Sequence, residues 1–141
     1  MVQIAVLESH SIFRHALKLV FENNEKIHIA GDAEYTDALF RILSRTTVDV
    51  VLVSINMPDD TSPIEAVRYI RSKYPEVKIL ALANEGTALI VRAMMKAGIS
   101  GYIGKRQANR NELETAICDI AAGQQYIGKV DRIQKSRNIT W

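Results

Sequence analysis

A doubly wound α/β domain, a single parallel sheet with helices on both faces, is the fold this sequence predicts. Three observations carry the prediction. Short apolar runs rich in β-branched residues alternate strictly with segments of helical periodicity. The strand-like runs, such as Val50-Val51-Leu52-Val53, are apolar at every position, as strands buried on both faces are. Helix start and stop signals fall in the gaps that this alternation requires. With 141 residues, 48% of them hydrophobic, the chain can bury one adequate core without disulfides or metals.

Ile4-Ala5-Val6-Leu7 opens the series as a first short strand, and Ile12, Phe13, Ala16, Leu17, Leu19 and Val20 follow at helical spacing. Asn23-Asn24 ends that helix, and Ile27-His28-Ile29-Ala30-Gly31 makes a second strand with Gly31 as a turn signal. Ala38, Leu39, Ile42 and Leu43 mark a second helix, and Val48 to Val53 the third strand. Ser62-Pro63-Ile64-Glu65 is a helix start: Ser accepts from an otherwise unpaired amide, Pro needs no partner at the first helical position, and Glu sits three residues past the cap. Ala66, Val67 and Ile70 give this third helix its inward face. Val77 to Leu82 is the fourth strand, and Thr87 to Ala97 a fourth helix ended by Gly98, with Met94 and Met95 filling core positions. Gly101-Tyr102-Ile103 is a short fifth strand at the sheet edge. Asn109 and Glu112 start a fifth helix whose inward residues are Leu113, Ala116, Ile117 and Ile120, and Gly123 ends it.

Five strands and five helices in this alternation predict the order 2-1-3-4-5, the flavodoxin-like arrangement. Its switch point lies beyond the carboxyl ends of strands one and three, where ligands and chemistry gather. The residues there are Glu8 and Ser9 after strand one and Ser54 after strand three.

Composition narrows the function classes. The net charge is +2, and residues 128–141, with Lys129, Arg132, Lys135 and Arg137 against Asp131, hold +3 of it, leaving −1 on residues 1–127. The body is therefore not a basic nucleic-acid surface, and the tail reads as a solvated linker. A single-domain body at 1–127 and a basic tail or cut linker at 128–141 are the expected divisions. No stretch approaches the roughly 18 uninterrupted apolar residues of a membrane span, and Met1-Val2-Gln3-Ile4 leads into a strand rather than a signal peptide, so a cytoplasmic protein with no membrane partner is expected. Cys118 falls in a helical apolar pattern and reads as a small core residue. His10, His15 and His28 share no metal-ligand spacing with Cys or carboxylates.

The order of elements, together with Glu8-Ser9-His10, Val51-Leu52-Val53-Ser54-Ile55-Asn56-Met57-Pro58, Leu80-Ala81-Leu82-Ala83 and Gly98-Ile99-Ser100-Gly101-Tyr102-Ile103-Gly104-Lys105, resembles the CheY-like receiver domain of two-component response regulators. Ala97-Gly98-Ile99-Ser100-Gly101-Tyr102 and Ala121-Ala122-Gly123-Gln124 resemble its NarL/FixJ (LuxR-type) branch. The resemblance covers residues 2 to about 127. It implies an acidic pair after strand one and a phosphoacceptor aspartate after strand three that together hold magnesium, with a hydroxyl after strand four and a lysine after strand five gripping the phosphoryl group.

Carried over by position, little of that machinery is present. The acidic pair becomes Glu8 and Ser9, the phosphoacceptor position Ser54, and the hydroxyl position Ala83. Lys105 and the aromatic switch position Tyr102 match. One carboxylate and the Asn56 carbonyl make a poor set for a hard divalent cation that wants several oxygens, some of them anionic, so magnesium binding is expected to be weak or absent. A serine with no adjacent base is also a poor nucleophile. Lys105 is then expected to pair with Glu8. Asp59 and Asp60 read as turn residues before the Ser62 cap.

The expected function is an atypical receiver, not an enzyme, acting through a protein partner and most simply as a homodimer. Its surface would be the face of the fourth helix, fifth strand and fifth helix, or that of the first and fifth helices. Tail residues 128–141 are too few for a helix-turn-helix, so no specific DNA binding is expected of this chain alone. The alternative is a small flavodoxin-like enzyme or nucleotide binder, and the turn Leu7-Glu8-Ser9-His10-Ser11 counts against it because it lacks a glycine that would let backbone approach a phosphate.

Overall fold

Every strand predicted from the apolar runs joins one parallel sheet. The structure, a computed structural model, describes residues 1–55, 62–83, 88–106 and 108–128. The elements are β1 (Val2–Leu7), α1 (Ser11–Val20), β2 (Ile27–Ala33), α2 (Thr36–Arg45), β3 (Val50–Ser54), α3 (Pro63–Lys73), β4 (Lys78–Ala83), α4 (Ala88–Ala97), β5 (Gly101–Gly104), α5 (Arg110–Ala121) and β6 (Tyr126–Ile127). The sheet order is β2-β1-β3-β4-β5-β6. Asn56, Asp59, Asp60, the expected helix start at Thr87 and the basic tail from Lys129 lie outside the described residues.

Alternation along each strand splits the core into two layers. Ala5, Leu7, Val51, Val53, Ile79 and Ala81 face Leu39 and Leu43 of α2, Val67 and Ile70 of α3, and Val91 and Met94 of α4. Ile4, Val6, Val50, Leu52, Leu80 and Leu82 face Leu17 of α1 and Leu113, Ala116, Ile117 and Ile120 of α5. A sheet covered on both sides in this way leaves functional side chains only its two ends. The caps behave as the sequence predicts: Ser62 Oγ accepts from the Ile64 amide at 3.2 Å, and Asn109 Oδ1 from the Glu112 amide at 2.9 Å.

The structure corrects three expectations. Gly31 is not a turn; it lies inside β2, where the register with β1 slips so that Ile4 pairs with Ile29 but Ala5 with Gly31. A Cβ at Gly31 would stand 2.9 Å from Ile42 Cδ1, so α2 occupies the space a side chain would need. β5 is not the edge, because Tyr126-Ile127 adds a sixth parallel strand beside it. As a result Tyr102 is not on an edge strand: its side chain sits in the layer beneath α2, α3 and α4, 3% exposed.

β6 depends on a close approach. A Cβ on Gly101 would collide with the Tyr126 backbone, and the Gly128 amide donates to the Tyr102 carbonyl at 2.9 Å. The Tyr126 hydroxyl donates to Glu112 Oε1 at 3.1 Å, tying the strand to α5. Burial first, and then the Glu112 carboxylate, raise the Tyr126 phenol above its ordinary range. The folded state therefore holds this proton more tightly than the unfolded one. Stability from this group is complete below the ordinary tyrosine value near 10 and is lost as pH climbs through the raised one. Alkaline unfolding of Tyr126→Phe should fall less steeply above about pH 10 than that of the parent chain; superimposable curves would remove the latch.

Candidate functional site

Parallel β1, β3, β4 and β5 end at one rim of the sheet, and four sequence-predicted positions meet there. Glu8 follows β1 directly, its amide donating to the Ala33 carbonyl at 3.0 Å. Ser54 closes β3 and Ala83 closes β4. Lys105 follows β5, its amide donating to the Ala83 carbonyl at 2.8 Å, which aims the lysine across the strand ends.

Charge then sets the arrangement. The Glu8 side chain is fully buried, and a buried carboxylate needs a compensating cation and donors. Lys105, 10% exposed, supplies its ammonium to Glu8 Oε1 at 2.8 Å, so the pair expected from the sequence is formed. The His10 amide donates to the same oxygen at 3.1 Å, and His10 Nδ1 stands 3.5 Å away. Glu8 Oε2 is buried without a hydrogen-bond partner among the described residues. Arg14 buttresses the turn from below, donating to the Glu8 carbonyl at 2.7 Å and pairing with Asp32 at 2.9 Å.

Ser54, 1% exposed, places Oγ 3.4 Å from Lys105 Nζ, at the outer limit of a hydrogen bond. Ala83 is buried among apolar side chains and brings no polar side-chain atom to the rim. Ser9 is half-buried, and Tyr102 points into the core layer rather than into this cluster. One contact was not foreseen. The Lys105 ammonium also lies over the ring of Phe13 on α1, 4.5 Å from its centroid, within cation–π range.

These residues do not fit a magnesium ion. The described donor set holds one carboxylate, one of whose oxygens is already taken by an ammonium and an amide, and the neighbouring hydroxyls of Ser9 and Ser54 carry no charge. No group of three or more His, Cys, Asp or Glu that could hold a metal forms among the described residues. The cation facing Glu8 is the protein's own lysine. Ser54 likewise has no general base among the contacts described for it: its one described side-chain partner is an ammonium, which donates and does not accept.

A parallel sheet in this order is the flavodoxin-like doubly wound arrangement, and here a carboxylate and a lysine pair across its carboxyl rim. The family profile described as response regulator receiver domain matches residues 4–118, and the chain belongs to that family. Among curated relatives it is 29% identical over 126 residues to the transcriptional regulatory protein DegU of Brevibacillus brevis, covering 89% of this chain and 52% of DegU. It is 28% identical over 127 residues to the response regulator UvrY of Escherichia coli K12, covering 90% of this chain and 57% of UvrY. The chain thus spans little more than half the length of these relatives. Similar folds include a LuxR-family two-component response regulator from Aurantimonas sp. SI85-9A1, with TM-score 0.86, 23% identity, and coverage of 100% of this chain and 99% of that one. The isolated REC domain of RcsB from Salmonella enterica serovar Typhimurium, solved with the phosphomimetic BeF3−, superposes with TM-score 0.82 at 21% identity, covering 93% and 96%. No helix among the described residues is long and apolar enough to cross a membrane.

Proposed function

We propose that this chain is the receiver of a LuxR/NarL-type response regulator that is not switched by aspartyl phosphorylation and signals through contact with a second copy of itself. The observation that carries the reading is the Lys105–Glu8 pair beside Ser54: the lysine that would grip a phosphoryl group is already held, and the acceptor position is a serine. Residues 1–127 form the receiver, and the basic segment from 128 leads toward an output region. Relatives named as transcriptional regulators, together with an RcsB structure solved on DNA, support DNA binding as that output. The same reading leaves DNA contact to residues outside 1–127.

The surface of α1 and α5 suits the second copy better than that of α4, β5 and α5, because β6 already pairs with β5. α1 exposes Ile12, at 85%, and Leu19, and an apolar groove runs between the two helices. Sedimentation equilibrium tests the reading. The expected result is a dimer that Leu19→Asp weakens at least about tenfold, since an interface charge costs more than 1.4 kcal/mol, and that magnesium with beryllofluoride leaves unchanged. A monomer at all concentrations, or a dimer formed only with beryllofluoride, refutes it.

A further inference from the structure

Phe13 answers to two surroundings at once. On one side the Lys105 ammonium lies 4.5 Å from its ring centroid. On the other it lines the groove between α1 and α5 with Ala16, Val20, Ala108 and Leu113. The ammonium has three donors to place. Among the described residues, Glu8 Oε1 takes one at 2.8 Å, Ser54 Oγ is a weak partner at 3.4 Å, and the negative face of the phenyl ring is a further neighbour that favours positive charge. An aliphatic residue at 13 would fill the same groove while giving the lysine nothing.

From this we infer that Phe13 is a positioning residue for Lys105 and the physical link between the rim site and the α1/α5 surface. The ring holds the ammonium against Glu8, so the lysine is restrained by an aromatic face and a carboxylate where the family's reading would have a phosphoryl group. Because Phe13 is only half-buried, water reaches its groove side. A second copy covering the groove removes that water, and a cation–π contact strengthens when desolvated. Self-association and the Lys105–Glu8 pair therefore favour one another, and by linkage each strengthens the other by the same factor. This consequence rests on the α1/α5 reading above; the positioning role of Phe13 does not.

A double-mutant cycle on the full chain tests both parts. Phe13→Leu is made in the parent and in a Glu8→Gln/Lys105→Met background, which removes the cation without stranding the buried carboxylate. Urea unfolding at concentrations below association reads the positioning role, and sedimentation equilibrium reads the link. Phe13→Leu is expected to lower the folding equilibrium on the order of threefold to tenfold more in the parent than in the background. Phe13→Tyr, which keeps a ring face, should retain that coupling. The dimer dissociation constant should show non-additivity of the same sign. Additive effects in the unfolding cycle would overturn the positioning role, leaving Phe13 as packing. Additive effects on the dissociation constant alone would overturn the link. Absence of any dimer would refute the α1/α5 reading and with it the link, while the unfolding cycle still decides the role of Phe13.

Discussion

Lys105→Met is expected to lower folding stability by about 3–5 kcal/mol, the cost of leaving a buried charge without its partner. Glu8 is fully buried, one of its oxygens has no hydrogen-bond partner among the described residues, and the ammonium at 2.8 Å is its compensating charge. The ordinary expectation for a lysine at a strand end differs, because a solvated one can be replaced at a cost of about 0–1 kcal/mol. Glu8→Gln/Lys105→Met should recover most of the loss, since removing both charges also removes the penalty of burying them. Urea unfolding reads this as a midpoint that falls at constant slope in the single variant and returns in the double. A single variant within about 0.5 kcal/mol of the parent, the range of ordinary surface substitutions, would show the pair to be no more than a surface contact.

Ser9→Asp/Ser54→Asp is expected to create what the present rim lacks. Three carboxylates would then surround one lysine, a cluster that repels itself in chelator but offers a divalent cation several anionic oxygens. Thermal unfolding of the variant should rise with magnesium, by about 1.4 kcal/mol when the ion is at ten times its dissociation constant, while the parent should not respond. The variant should also gain mass from acetyl phosphate and magnesium, because a carboxylate now stands at the acceptor position. A parent that shifts with magnesium as much as the variant would contradict the reading of the donor set.

The fold was readable because its central strands are buried on both faces, which removes the ambiguity of half-polar strands: Val50 to Val53 and Leu80 to Leu82 admit few other placements. β6 was not, because two residues have no period, and its cue, a glycine at 101 in β5 and another at 128 just after β6, becomes visible only once the strands are paired. Gly31 was misread because the turn preference of glycine is a local signal, whereas Ile42 of α2, distant in sequence, decides its position. Of the site, the Glu8–Lys105 pair followed from the family resemblance, which put both residues at the rim, together with charge, since the lysine has no aspartate at 54 to meet. Phe13 was absorbed into the apolar face of α1, as an aromatic residue at helical spacing ordinarily is; no spacing rule relates residues 13 and 105. Tyr102 was placed on the right strand and given the wrong surroundings, because its burial depends on the layer beneath α2, α3 and α4 and on the neighbouring β6.

The central claim, that this receiver does not accept a phosphoryl group, is tested most directly by incubating the purified chain with acetyl phosphate and magnesium and measuring its intact mass. The expected result is an unchanged mass, with Ser9→Asp/Ser54→Asp as the variant that does change. A gain of one phosphoryl group by the parent chain, acid-labile or stable, would contradict it.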